Sequence, residues 1–174
     1  EEPAGFRDGW NLLKEKEKPR YYAKEGKAPL KQVTNDSPKD TPVTILCGSN
    51  MSGKSFFLKN LLYSQLCAQA FGYAPATEGN FRVYDKFVLM ERAATDSANN
   101  LSAFGAEIKR WIMALEGIGD RTLFMTDESF STTSPEDQFR LLHGVLRYLR
   151  SIGARVMMAS HNEEFLLSLS EQSE

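Results

Sequence analysis

The run Gly48-Ser-Asn-Met-Ser-Gly-Lys-Ser55 restricts the fold more than any other part of this chain, because it fits the spacing G-x-x-x-x-G-K-[S/T]. An apolar, β-prone run, Val43-Thr-Ile-Leu-Cys47, precedes it, and a helical pattern runs from Lys54 to about Phe71. A strand, a glycine-rich loop and a helix in that order aim successive backbone N–H groups and the positive end of a helix at one point, which suits a polyphosphate. Gly48 and Gly53 stand where the backbone must bend and approach a ligand. Lys54 has the reach for β- and γ-phosphates, and the Ser55 hydroxyl suits Mg²⁺. The expectation is a nucleotide held by Gly48, Ser49, Asn50, Met51, Ser52, Gly53, Lys54 and Ser55.

The pattern beyond the loop is regular. Strands are expected at Tyr84–Glu91, Thr122–Thr126 and Ala154–Ala159, with helices at Phe104–Leu115, from Pro135 to Arg150, and at Asn162–Leu169. In the first of these helices Phe104, Ile108, Trp111, Ile112 and Leu115 are expected on one apolar face. Strands alternating with helices predict an α/β fold: a mostly parallel sheet with helices on both faces, and ligand loops gathered at the carboxyl ends of the strands. Residues 1–40 differ from the rest. They carry nine basic and eight acidic residues with Pro19, Pro29 and Pro38, and read as a polar, partly ordered lead-in to a domain over 41–174.

Composition closes off other classes. With 41% hydrophobic residues the chain can build one core. A net charge of −2 gives no sign of a nucleic-acid surface. The longest uncharged stretch, Asn60–Thr77, contains Asn, Ser, Gln and Pro and reads as a buried helix, not a membrane span. Cys47 and Cys67 form no C-x-x-C pair and are expected as small core residues of a reducing, intracellular compartment, cytoplasmic or nuclear. No signal peptide is visible, and the first residue is Glu, as in a piece of a longer protein.

Three further positions carry chemistry. Asp127-Glu128 closes the apolar strand Leu123-Phe-Met125. In a phosphate-loop protein a carboxylate there is placed to hold Mg²⁺, which makes Asp127 with Ser55 the expected metal ligands. Glu128 is then placed to orient or deprotonate an attacking water. His161, after the last strand in Met158-Ala-Ser-His161, can sense a phosphate or that water through a hydrogen bond. Lys54, Glu128 and His161 are thus the expected catalytic set. His143 reads as packing or surface, and Ser102 as a helix N-cap without the acidic partner of a capping box.

Together these motifs resemble the ATPase domain of the MutS family of DNA mismatch repair proteins. Asn50–Ser55 is similar to that family's Asn-Met-x-Gly-Lys-Ser loop, Asn35-Asp36 to its upstream Asn-Asp pair, and Leu101–Phe104 with Glu107 to its Ser-Thr-Phe-Met-x-Glu signature. Asp127-Glu128, Thr133-Ser134 and Ala159-Ser-His161 resemble its Asp-Glu box, the Thr-Ser that follows and its Ala-Thr-His switch. The departures are Ser49 for Pro, Phe56 for Thr, and Phe130-Ser-Thr-Thr-Ser134 for a Gly-Arg-Gly-Thr-Ser turn.

The resemblance implies a P-loop NTPase fold like that of ABC ATPases. It implies hydrolysis of ATP with Mg²⁺, Asn35 at the adenine, and Ser102 reaching in trans to the γ-phosphate bound by an opposite subunit. It further implies a homodimer or a pairing with a paralogue through this domain, DNA bound by domains outside the chain, and a core lacking the family's later strands and C-terminal helices. The alternative is an ABC- or SMC-type ATPase, or a nucleotide switch, with no part in mismatch recognition. The transporter signature Leu-Ser-Gly-Gly-Gln does not occur; Leu101-Ser102 continues as Ala-Phe.

Overall fold

A computed structural model describes residues 5–7, 41–49, 52–76, 78–91, 103–162 and 165–168. They fall in two compact units, one containing Phe56–Val83 and the short strand at Gly5–Arg7, the other containing Thr41–Ser55 and the residues from Tyr84 onward.

In the first unit, β1 (Gly5–Arg7) pairs antiparallel with β3 (Glu78–Asn80), Gly5 opposite Asn80. Sequence periodicity did not anticipate this ribbon, because three-residue strands are too short to show an alternation. Helix α1 (Lys54–Phe71) starts with Lys54 and Ser55 of the second unit, continues in the first from Phe56, and ends where Gly72 N–H bonds the Ala68 carbonyl at 3.0 Å. Leu58, Leu61 and Gln65 form a buried stripe on it, and Gln65 Nε2 donates to Arg82 O at 2.6 Å. Tyr63, Leu66 and Phe71 are exposed, so α1 is buried on one side only.

The second unit is built on four parallel strands: β2 (Val43–Leu46), β4 (Lys86–Met90), β5 (Thr122–Asp127) and β6 (Arg155–Ala159). Their order across the sheet is β2-β6-β5-β4. All five residues of β6 are buried, as expected for a parallel strand covered on both faces. Helix α2 (Ala103–Leu115) and helix α3 (Pro135–Ser151) contribute to one core with the sheet. Trp111 of α2 stacks on Phe124 of β5 at 5.2 Å, and Leu142, Leu146 and Leu149 of α3 are buried beside Val156 and Met158. Each such leucine contributes roughly 2 kcal/mol. Helix α3 has an N-cap in Ser134, whose Oγ accepts from Asp137 N, Pro135 in its first turn, acids at 136 and 137, and Arg150 at its end.

The apolar face expected on α2 is rotated. Ile112 is 60% exposed, and Glu107 turns inward between Phe104, Ile108 and Trp111. Cys47 is also exposed, not in the core, because β2 ends at Leu46 and the chain leaves the sheet there; Cys67 is half-buried.

Candidate functional site

The sheet order places three chemistry-bearing segments side by side. Leu46, Ala159 and Asp127 stand in register across β2, β6 and β5. Ser160 N–H donates to Leu46 O at 3.1 Å, and Glu128 N–H donates to Ala159 O at 3.1 Å. The loop beginning at Gly48, the Ser160-His161 segment and the Asp127-Glu128 pair therefore leave adjacent strands at the same edge.

After β2 the chain turns on glycine. Gly48 has φ +155° and Gly53 φ +95°, backbone states that L side chains rarely adopt. Lys54 Nζ bends back and donates to the carbonyls of Gly48, at 2.9 Å, and Ser49, at 3.0 Å. Lys54 is largely buried, whereas Ser49, Ser52, Gly53 and Ser55 are exposed. The loop thus encloses an ammonium group and offers its rim to solvent. Asn50 and Met51 lie outside the described residues, as do Asn35 and Ser102.

After β5 the chain turns without glycine. Glu128 has φ +49° and Phe130 φ +58°. Glu128 Oε1 lies 2.6 Å from His161 Nε2, with the two side chains 26% and 32% exposed. They line a cavity of about 520 Å³ together with Thr133, Gln138 and Asn162. Around them the turn is tied down. Phe130 N–H donates to the buried Glu107 carboxylate at 2.7 Å. Gln138 Nε2 donates to Ser129 O at 2.8 Å, and Asn162 Nδ2 donates to Gln138 Oε1 at 3.0 Å. The hydroxyls of Thr126 and Ser129 bond each other. His143 is half-buried and lies against the ring of Phe139.

Sequence reasoning met Glu107 only within the Ser-Thr-Phe-Met-x-Glu resemblance, without a role for it, and assigned none to Gln138 or Asn162. A signal existed for Glu107: a carboxylate one residue before Ile108 and four before Trp111 lies within the apolar stripe of an amphipathic helix. Gln138 and Asn162 gave none, because their partners are brought to them by the fold.

The donor chemistry fits a magnesium ion. Asp127 Oδ1 is buried and has no hydrogen-bond partner among the described residues, a costly state for a carboxylate oxygen unless something occupies its lone pairs. Ser55 presents an exposed hydroxyl at the start of α1. Magnesium keeps several waters and takes one or two carboxylates plus phosphate oxygens. No cluster of three acidic, His or Cys ligands exists among the described residues, and such an ion needs none. No helix among them is long and apolar enough to cross a membrane.

Comparison with known proteins gives one consistent family. A family profile described as MutS domain V matches residues 44–174. The human MutS protein homolog 4 is 32% identical over 117 residues, covering 67% of this chain and 12% of the relative. The DNA mismatch repair protein MutS of Streptococcus suis is 31% identical over 136 residues, 78% of this chain and 16% of the relative. That of Bacillus cytotoxicus is 29% identical over 163 residues, 87% of this chain and 18% of the relative. The chain thus spans less than a fifth of the length of these relatives.

Proposed function

The chain belongs to the MutS family, and from that premise we propose that it is an ATPase domain serving DNA mismatch repair, binding and hydrolysing Mg-ATP at the edge formed by β2, β6 and β5. The observation that carries this reading is the adjacency of the Lys54 loop to the Glu128–His161 pair, joined through the register of Leu46, Ala159 and Asp127.

Residues 48–55 bind the phosphates. Lys54 exchanges its bonds to the Gly48 and Ser49 carbonyls for phosphate oxygens, and the backbone N–H groups of the loop complete the cradle. Asp127 and Ser55 would hold magnesium, which when bound spreads the charge of the β- and γ-phosphates. Glu128, fixed by His161, orients the attacking water and accepts its proton; His161 stabilises the carboxylate in the required position. Asn35 lines the base pocket. Ser102 completes the site of an opposite subunit, so ATP joins two such domains, homologous or paralogous. DNA is engaged by parts of the protein outside this chain.

The test is phosphate release from Mg-ATP by the full-length protein, with nucleotide binding followed by calorimetry. The intact protein turns over ATP, while Glu128→Gln binds it normally and loses about 100-fold or more in turnover. Wild-type turnover by Glu128→Gln would remove Glu128 from its role, and no turnover by the intact protein would overturn the ATPase reading.

A further inference from the structure

We propose that Glu107 is a positioning residue for this ATP hydrolysis: its carboxylate holds the turn after β5 in the shape that aims Glu128. The proposal rests on the ATPase reading above.

Glu107 lies on the core-facing side of α2 and is only 7% exposed. A carboxylate withdrawn from water is unfavourable unless it is hydrogen-bonded. Its bond goes to the backbone N–H of Phe130, at 2.7 Å and 23 residues away in the chain. Phe130 is one of two non-glycine residues with left-handed backbone in this turn, and the other is Glu128 itself. Such conformations persist only where their surroundings enforce them. Helix α2 enforces this one twice. Glu107 holds the amide of Phe130, and Trp111, one helical turn further on, stacks on its ring at 5.1 Å.

The rest of the turn is anchored on other elements. Glu128 N–H bonds Ala159 O, and Ser129 O accepts from Gln138. Phe130 is therefore the point at which α2 controls the turn. Without the Glu107 acceptor, the Phe130 amide is left buried and unpaired. The turn then relaxes toward ordinary backbone angles to find another partner, and the Glu128 carboxylate, two residues back, swings off His161.

The experiment compares Glu107→Met, which keeps the length and loses the acceptor, with Glu107→Gln, whose amide oxygen still accepts from Phe130. Both are made in the full-length protein. In Glu107→Met turnover falls about tenfold or more, with the KM for ATP within about twofold of wild type. Glu107→Gln stays within about threefold in turnover. Hydrogen exchange of peptides spanning 128–133, measured without nucleotide, speeds up in the Met variant and not in the Gln variant.

Wild-type turnover in Glu107→Met, equal losses in Met and Gln, or a KM that rises with the loss of turnover would each overturn the proposal. So would unaltered exchange in Glu107→Met. If that variant does not fold, Glu107→Asp, one methylene too short to reach Phe130, carries the same expected outcome. Exchange needs no ATP turnover, so a protein that fails to hydrolyse ATP still reveals whether Glu107 holds the turn.

Discussion

Two turns leave neighbouring parts of one parallel sheet and reach unusual backbone angles by opposite means. The loop after β2 uses glycine at positions 48 and 53, is exposed along its rim, and is tied by its own residues, with Lys54 donating to the Gly48 and Ser49 carbonyls and Ser52 N–H to Ser49 O. The turn after β5 puts Glu128 and Phe130 into left-handed backbone and holds them with Glu107, Trp111, Gln138, Ala159 and His161. In the first, conformational freedom is built into the residue type. In the second, tertiary contacts impose the shape on residues that resist it, by about 1–2 kcal/mol each. The difference suits the proposed division of labour. A phosphate cradle needs backbone N–H groups open to a ligand, while a carboxylate that must aim at one water needs a rigid mount.

The sharpest way to break this comparison is Phe130→Ala. Removing a fully buried ring that stacks on Trp111 is expected to lower stability by about 3–5 kcal/mol, read by denaturant unfolding. A loss below about 1 kcal/mol would mean that the turn does not depend on its packing. Lys54→Ala acts on the other side. It is expected to weaken ATP binding on the order of 100-fold, about 3 kcal/mol by calorimetry, with far less effect on unfolding; unchanged affinity would remove Lys54 from the cradle. Gly53→Ala comes next. Among the described residues an added Cβ there meets nothing within 4 Å, so the expected cost is conformational, roughly 1–2 kcal/mol in stability from φ +95°. A neutral result would show that the loop adjusts freely. Smallest is Ser134→Ala, which removes the N-cap of α3 and is expected to cost about 1 kcal/mol in the same assay.

How far each turn was legible in the sequence follows from the same contrast. Gly48 and Gly53 announce their turn, because glycine in that spacing has few other uses. Phe130 announces nothing. Its left-handed angle depends on Glu107, 23 residues before it, and the Glu128–His161 pair spans 33 residues. On α2 the periodicity placed Phe104, Ile108 and Trp111 inward and erred at Ile112, which is exposed while Glu107 is buried. Ranking by hydrophobicity favours isoleucine over glutamate, and the hydrogen bond from the Phe130 amide reverses that order.

The amino-acid sequence by itself determined the kind and order of the elements of the parallel unit, though not the β1–β3 ribbon, together with the glycine-built loop and the carboxylates at the end of β5, since these depend on periodicity and residue type within a few positions. Tertiary structure alone decided that β6 lies between β2 and β5, which brings Lys54, Glu128 and His161 to one edge. It alone decided that Glu107 faces inward to hold Phe130. Strand order and buried polar contacts are settled by pairings between distant segments, and no local pattern encodes which distant groups will meet.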